Sequence, residues 1–268
     1  MNCYSLETGD APLLISIPHD GRDLVPGMAE RMTAEGLQLP DTDWYVRELY
    51  EFAKGFGAGI IAANYSRYVV DLNRSSGDAL LYTGQLSTGL CPAQTFSGDN
   101  IYQQGQGCDA VEQKQRVKQY WQPYHDGIAS QLLEIRERFG YALLWDAHSI
   151  RSEVPRLFDG QLPELNIGTN SGTSCDPGLE RGIIAVAQAS GYSTVINARF
   201  KGGFITRNHG NPMHGIHAIQ LELAQRCYMD ESTGQYKSEL AGALTATLRA
   251  MLQEFMAGAA RYLRDKRQ

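Results

Sequence analysis

Five short apolar runs alternate with stretches of helical period, and this alternation leaves few folds open to the chain. Residues 12–17, residues 59–63 with the apolar trio 68–70 after them, and residues 142–145 are too short for helices. Turn-forming residues bound each run, so each reads as a buried strand. Residues 193–197 and 218–223 read the same way. Between the runs, residues 43–56 place Trp44, Val46, Leu49, Tyr50 and Phe52 at helical spacing. Residues 109–139 predict one long helix or two shorter ones, with Pro123 as a break or kink. Residues 177–190 open behind Asp176, a good N-cap, with Pro177 at the first helical position. Residues 238–266 predict a closing amphipathic helix. Strand and helix in alternation imply a layered α/β fold with a mostly parallel sheet. In such sheets the active groups stand on loops just past strand ends.

Size and charge narrow the function class. The chain has 268 residues, 43% hydrophobic and 20% charged, a globular balance able to bury a sizeable core. We read residues 1–268 as one domain, with no repeat or linker dividing them. Acidic residues outnumber basic ones by 30 to 24, a net charge of −6, which argues against a general nucleic-acid or membrane-surface binder. The five cysteines, at positions 3, 91, 108, 175 and 227, include no Cys-x-x-Cys pair, unlike a secreted disulfide scaffold. The first ten residues lack the basic start and apolar stretch of a signal peptide, and no apolar run approaches a membrane span. The expectation is a cytoplasmic protein.

The strand ends carry the chemistry. The first strand runs into Pro18-His19-Asp20-Gly21-Arg22, and the third into Asp146-Ala147-His148-Ser149. Either histidine alone could cap a strand and bond backbone; two on separate strands of one parallel sheet suggest a metal site. Neutral imidazole is a common zinc ligand, and catalytic zinc favours three protein ligands plus water. For the third ligand, Asp41 and Asp43 are open, though either could be a helix N-cap, and Asp20 is a further candidate crowded by His19. After the second strand region come Arg67, Asp71, Asn73 and Arg74, where an Asn-Arg pair offers planar donors for a carboxylate or oxyanion. A surface salt bridge from Arg74 to Asp71 or Asp78 is the plainer reading. Residues 201–210 read as a Gly-flanked loop carrying Arg207 and His209, with room for close backbone approach to a ligand. Glu222 stands inside an apolar segment. A buried glutamate is costly unless it is paired, as with an arginine, or functional, and beside metal-bound water it makes a good general base.

These segments together carry a family resemblance. Pro18-His19 with Gly21, Asp41-Thr42-Asp43-Trp44, the run 66–74, the run 144–152, Lys201-Gly202-Gly203 and the run 220–225 resemble the N-formylglutamate amidohydrolase family, from about residue 11 to 230. That family is distantly similar to the zinc carboxypeptidases and aspartoacylase. The resemblance implies a three-layer α/β/α catalytic domain with a central mixed, mostly parallel sheet, zinc-exopeptidase-like. It implies one divalent ion, zinc or another transition metal, with His19 and His148 as ligands. The relatives carry a His-x-x-Glu pair, but here Arg22 stands three after His19 and cannot bind a cation. The carboxylate ligand is therefore assigned to Asp43, with Asp41 and Asp20 as alternatives. Asn73 and Arg74 match the grip on a substrate carboxylate, and Glu222 matches the late catalytic glutamate.

The implied reaction is hydrolysis of N-formyl-L-glutamate to formate and L-glutamate, the last step of one histidine-degradation route. The substrate is a small anion with two carboxylates, and Arg67, Arg74, Arg151 and Arg207 are available to meet them. Arg74 is expected at the α-carboxylate, Arg151 or Arg207 at the side-chain carboxylate, and Arg67 near the metal, holding the carbonyl oxygen. Three alternatives stand beside this one. A zinc hydrolase of another N-acyl amino acid or short peptide would keep the same residues. A thiol amidase would need an activated cysteine on a glycine-rich elbow, and none follows an apolar strand. A dicarboxylate binder would need no buried base. Oligomeric state is not legible.

Overall fold

The computed structural model describes residues 2–77 and 88–266; Asp78, one of the carboxylates considered for Arg74, lies outside them. Among the described residues, seven strands form one sheet: β1 (Tyr4–Glu7), β2 (Leu13–Ile17), β3 (Gly59–Ala63), β4 (Ala142–Ile150), β5 (Leu165–Gly168), β6 (Thr194–Ile196) and β7 (Ile216–Ala224). Their order is β1-β3-β2-β4-β7-β5-β6. Strands β3, β2, β4 and β7 run parallel. β1 is antiparallel to β3, and the parallel pair β5–β6 meets β7 antiparallel. Strands β8 (Met229–Asp230) and β9 (Gln235–Tyr236) make a small ribbon. The helices are α1 (Ala34–Leu37), α2 (Val46–Tyr50), α3 (Ala110–Arg116), α4 (Gln122–Phe139), α5 (Pro177–Ala189), α6 (Phe204–His209) and α7 (Ser238–Lys266).

Strand alternation sorts side chains between two cores. Leu13, Ile15, Leu143, Trp145, Ile219 and Leu221 face α5 and α7, packing with Leu179, Ile183, Leu248 and Phe255. Leu14, Ile61, Leu144 and Ala218 face α4 and pack with Tyr124, Ile128 and Leu132. Each such fully buried side chain contributes about 1.5–3 kcal/mol. The result is the α/β/α layering with a mixed, mostly parallel sheet.

On the α4 face, β4 and β7 change character halfway. Leu144 and Ala218 are apolar, but Asp146, His148, Gln220 and Glu222 follow at period two. The other face stays apolar through Ala147, Leu221 and Leu223. β4 therefore continues to Ile150, beyond the expected end at residue 145.

Several other expectations need correction. Residues 68–70 are buried but form turns, not strand; side chains from another element take their carbonyls instead of a neighbouring strand. The helix expected over 43–56 starts only at Val46, after Tyr45 in the left-handed region (φ 63°), and tightens to a 3-10 turn over Glu51–Phe56. The loop expected over 201–210 holds α6, which begins after Gly203; a Cβ at Gly203 would collide with the Asn73 side chain. β1 and β5 were not legible, being only four residues each. Residues 109–139 form α3 and α4 joined by a π-helical turn, Val117–Trp121, with Pro123 in the first turn of α4 directly after it. None of the described helices is long and apolar enough to cross a membrane.

Behind the polar half of the sheet lies a histidine pair, His125 buried and His209 half-buried. His125 Nε2 is 2.9 Å from the Leu72 carbonyl, and His125 Nδ1 is 3.0 Å from His209 Nε2. A carbonyl can only accept, so His125 donates from Nε2 and its Nδ1 accepts from His209. Burial, with His209 adding to it, pushes His125 down to about 3; burial pushes His209 down to about 4. An unfolded histidine takes its proton near its ordinary value of 6.5, the folded His209 only near 4, so the folded state loses ground as pH falls between them. A His209→Gln variant is expected to flatten the dependence of unfolding free energy on pH in that window by up to one proton, about 1.4 kcal/mol per pH unit. Urea unfolding at several pH values checks this, and equal slopes would count against it.

Candidate active site

Sheet register assembles most of the site. Parallel pairing sets His148 beside Glu222 and Asp146 beside Gln220, while β2 sets Ser16 beside Asp146. All project from the α4 face at the C-terminal ends of parallel strands. His19 stands two residues past β2, and the backbone N–H of Asp43 donates to the His19 carbonyl at 3.0 Å, drawing the Asp43 loop across the strand ends.

His19, Asp43 and His148 meet there, all buried, with ligand atoms within 4.8 Å of one another. Asp43 Oδ2 lies 3.0 Å from His148 Nδ1 and 3.7 Å from His19 Nδ1, and the two rings are 4.9 Å apart between centroids. Zinc bonds near 2.1 Å in tetrahedral geometry set ligand atoms about 3.4 Å apart, so the spacing fits one ion. Each imidazole has its other nitrogen beside a carboxylate. His19 Nε2 is 2.9 Å from Asp71 Oδ1, and His148 Nε2 is 3.2 Å from Asp146 Oδ1. Donation from His19 Nε2 to Asp71 leaves the His19 Nδ1 lone pair facing Asp43, the tautomer a metal ligand needs, while His148 Nε2 stands between Asp146 and the Asn73 amide nitrogen. Asp43 Oδ1 is buried without a hydrogen-bond partner, and Arg67 Nη1 stands 3.6 Å from it, beyond bonding length.

The electrostatics also call for a cation. Asp43, Asp71, Asp146 and Glu222 are all buried, with Arg67 beside Asp43 and Asp71. Burial disfavours an imidazolium at His148, yet Asp146 and Asp43 outweigh it and push its pKa well up. Burial likewise opposes charge on Asp43 and Asp71, but the histidines at the first, and Arg67 with His19 at the second, hold both carboxyls well down. A divalent ion supplies the positive charge these carboxylates favour. The donor set of two imidazoles and one carboxylate suits zinc.

The other carboxylates considered as ligands are committed elsewhere. Asp41 Oδ2 accepts from Tyr68 Oη at 2.7 Å and from the Phe96 N–H at 2.9 Å. Asp20 accepts from the Arg47 N–H at 3.0 Å and the Arg22 guanidinium at 3.4 Å. Neither Asp41 nor Asp43 caps α2, whose N-cap is Tyr45.

Glu222 is 7% exposed and forms no ion pair among the described residues; its neighbour Gln220 Nε2 lies 3.5 Å away. Burial pushes its carboxyl well up, with Asp43 adding to the rise and His148 opposing it. Arg67 donates to Asp71 Oδ2 at 2.7 Å, and Phe96 covers its guanidinium at 4.7 Å. The Asn73 amide is tied within the protein: Oδ1 accepts from the Ile205 N–H at 2.8 Å and Nδ2 lies 3.0 Å from His148 Nε2. Arg74 follows on the same turn, and its guanidinium makes no salt bridge among the described residues. Arg207 Nε donates to the Gly202 carbonyl at 2.7 Å on α6. Arg151 lies further out, donating to the Glu231 carbonyl at 3.2 Å and lining a cavity of about 470 Å³ with Asp41, Phe96 and Arg156.

Two contributors were only half legible. Asp146 sits two residues before His148, the strand spacing that puts both on one face, and Asp71 reads from sequence as a salt-bridge partner for Arg74 rather than a partner of His19. Phe96 carried no signal, and Gln220 only its place in the run 220–225. All five cysteines are free, and burial pushes every thiol up, so none is an activated nucleophile.

Comparison with known proteins bears on this geometry. Residues 11–229 match the N-formylglutamate amidohydrolase family. An N-formylglutamate deformylase of Pseudomonas putida is 49% identical over 263 residues, 97% of this chain and 98% of its own. One from Pseudomonas aeruginosa is 50% identical over 261 residues, 96% of this chain and 98% of its own. A crystal structure of N-formylglutamate amidohydrolase from Ralstonia eutropha superposes with a TM-score of 0.81 at 21% identity, covering 99% of this chain and 100% of that one, a likeness of fold.

Proposed function

The chain belongs to the N-formylglutamate amidohydrolase family, and on that premise we propose that it hydrolyses N-formyl-L-glutamate to formate and L-glutamate with a zinc ion held by His19, Asp43 and His148. The reading includes a single catalytic domain, a cytoplasmic setting and the last step of histidine degradation. The observation that carries the metal-dependent chemistry is the convergence of two carboxylate-backed imidazoles on Asp43, whose Oδ1 is buried without a partner.

When bound, zinc supplies Lewis acidity that polarises a carbonyl and lowers the pKa of water. The chain's own residues supply the rest. Glu222, whose burial favours proton uptake, takes a proton from the attacking water and passes it to the departing amine nitrogen, which leaves poorly as an anion. Arg67 is held between Asp71 and Asp43 and stabilises negative charge developing on the formyl oxygen. Asn73 holds the turn that presents Arg74, and the Arg74 guanidinium takes the α-carboxylate as a two-pronged donor. Arg151, in the cavity beside Phe96, or Arg207 meets the side-chain carboxylate.

Arg74→Lys keeps the charge but loses the planar fork, and kcat/KM for N-formylglutamate is expected to fall at least about tenfold. A wild-type value would remove Arg74 from the carboxylate site. Formate or acid release from N-formylglutamate, N-formylglutamine, N-acetylglutamate and short peptides tests the function as a whole. N-formylglutamate is expected to give the highest kcat/KM, with N-formylglutamine poorer because an arginine then faces a neutral amide. Faster turnover of an acetylated substrate or a peptide would favour a hydrolase of other N-acyl amino acids.

A further inference from the structure

The segment from Arg67 to Arg74 has no strand to pair with, yet it carries four of the residues just discussed. Its backbone carbonyls are buried and need donors. Some come from the loop itself, from Phe204, Tyr102 and Cys91, but four come from one face of the α3–α4 helix. Arg116 Nη1 donates to the carbonyls of Tyr68 and Val69 at 3.2 and 2.9 Å. Trp121 Nε1 donates to the Arg74 carbonyl at 2.8 Å. His125 Nε2 donates to the Leu72 carbonyl at 2.9 Å.

In a regular α-helix, residues five apart do not share a face. The π-helical turn Val117–Trp121 widens the helix between Arg116 and Trp121 and turns both toward the loop. Trp121 and His125 are four apart across the α-helical turn that follows. His125 is also fixed from behind, accepting from His209 at 3.0 Å, with its ring tilted against Trp121 at 4.0 Å between centroids.

The pinned carbonyls flank the residues that matter. Leu72 lies between Asp71, which accepts from His19 Nε2 and from the Asn73 N–H at 2.9 Å each, and Asn73, which abuts His148. Arg74 presents its guanidinium from the carbonyl that Trp121 holds.

We propose that Arg116, Trp121 and His125 form a clamp of positioning residues for this loop, with His125 setting the partners of the metal-ligand histidines and Trp121 setting Arg74. The inference rests on the metal and carboxylate assignments of the proposed function. It predicts that Trp121 and His125 fail differently, which a merely structural role would not produce.

The test measures zinc affinity by competition with a chromophoric chelator, together with kcat and KM, on the full chain. His125→Asn places its amide near the Nδ1 position and cannot reach Leu72; His125→Gln places its amide near Nε2 and can. His125→Asn is expected to weaken zinc binding and lower kcat about tenfold with KM little changed, and His125→Gln to recover most of both. Trp121→Phe keeps the ring and loses the donor. It is expected to raise KM for N-formylglutamate roughly tenfold, as the displaced Arg74 loses one charge-assisted hydrogen bond to the substrate carboxylate, with zinc affinity unmoved. The clamp is overturned if both His125 variants bind zinc as the wild type does, or lose it equally, or if Trp121→Phe leaves KM unchanged. Trp121→Phe, the milder change, decides the matter even if His125→Asn does not fold. Wild-type protein that binds no zinc would instead overturn the metal assignment itself, and the clamp's role with it.

Discussion

Glu222→Gln is expected to remove most turnover, about 10²–10⁴-fold, with fold, metal content and KM close to the wild type. The two side chains have nearly the same shape, so β7 and its pairing with β4 and β5 persist. What is lost is the ability to take a proton from water and hand it to the departing amine. The structural alternative, a glutamate paired to an arginine, has no ion pair to support it among the described residues. An uncharged side chain in this buried position also spares the desolvation that pushes the carboxyl up, so the melting temperature should hold or rise slightly. Formate release, zinc content and thermal unfolding on this single variant separate the readings. Near-normal turnover with zinc bound would exclude Glu222 as the base.

Asp43→Asn should be the most damaging substitution at the metal centre. The carboxylate meets both imidazoles, accepts from the Ser149 N–H at 3.0 Å and leaves Oδ1 unpartnered. An amide keeps the size but loses the anionic ligand. Asp146→Asn, by contrast, changes a group on the far side of His148 that also accepts from Ser16 and Thr206, and removing such an outer partner typically costs 10–100-fold in metal affinity or activity. Zinc affinity and turnover should therefore fall in the order wild type, Asp146→Asn, Asp43→Asn, with the two quantities falling together. If Asp43→Asn bound zinc as tightly as Asp146→Asn, the third ligand would lie elsewhere.

How much of this was legible in the sequence depends on how local each signal was. His19 and His148 stood out because each is the first imidazole after a short apolar run, and the sheet puts such positions on one rim. Their placement needs only strand period and parallel order. Asp43 was harder. It belongs to a loop that crosses to the strand ends through its own backbone bond to His19, and the spacing that announces a carboxylate ligand in the distant relatives is filled here by Arg22. Its assignment leaned on resemblance. Asp71 was read against Arg74, its neighbour in sequence, whereas the folded chain pairs it with His19, 52 positions away. Contacts of that reach leave no trace in local pattern. Trp121 and His125 look like ordinary core residues of a helix; only the π-helical turn, which periodicity cannot reveal, aims them at the loop. Helix α6 escaped notice because two glycines precede it, and residues 68–70 passed for strand because they are apolar and buried, although helix side chains and not a neighbouring strand satisfy their carbonyls.

The central claim is that hydrolysis depends on an ion held by His19, Asp43 and His148. Formate release from N-formylglutamate tests it most directly when measured on one preparation before chelation, after chelator removal of metal, and after stoichiometric zinc is restored. The account predicts full loss and full recovery, with no recovery when the same zinc is added to Asp43→Asn. Turnover that survives complete metal removal, or that Asp43→Asn retains at the wild-type level, would contradict it.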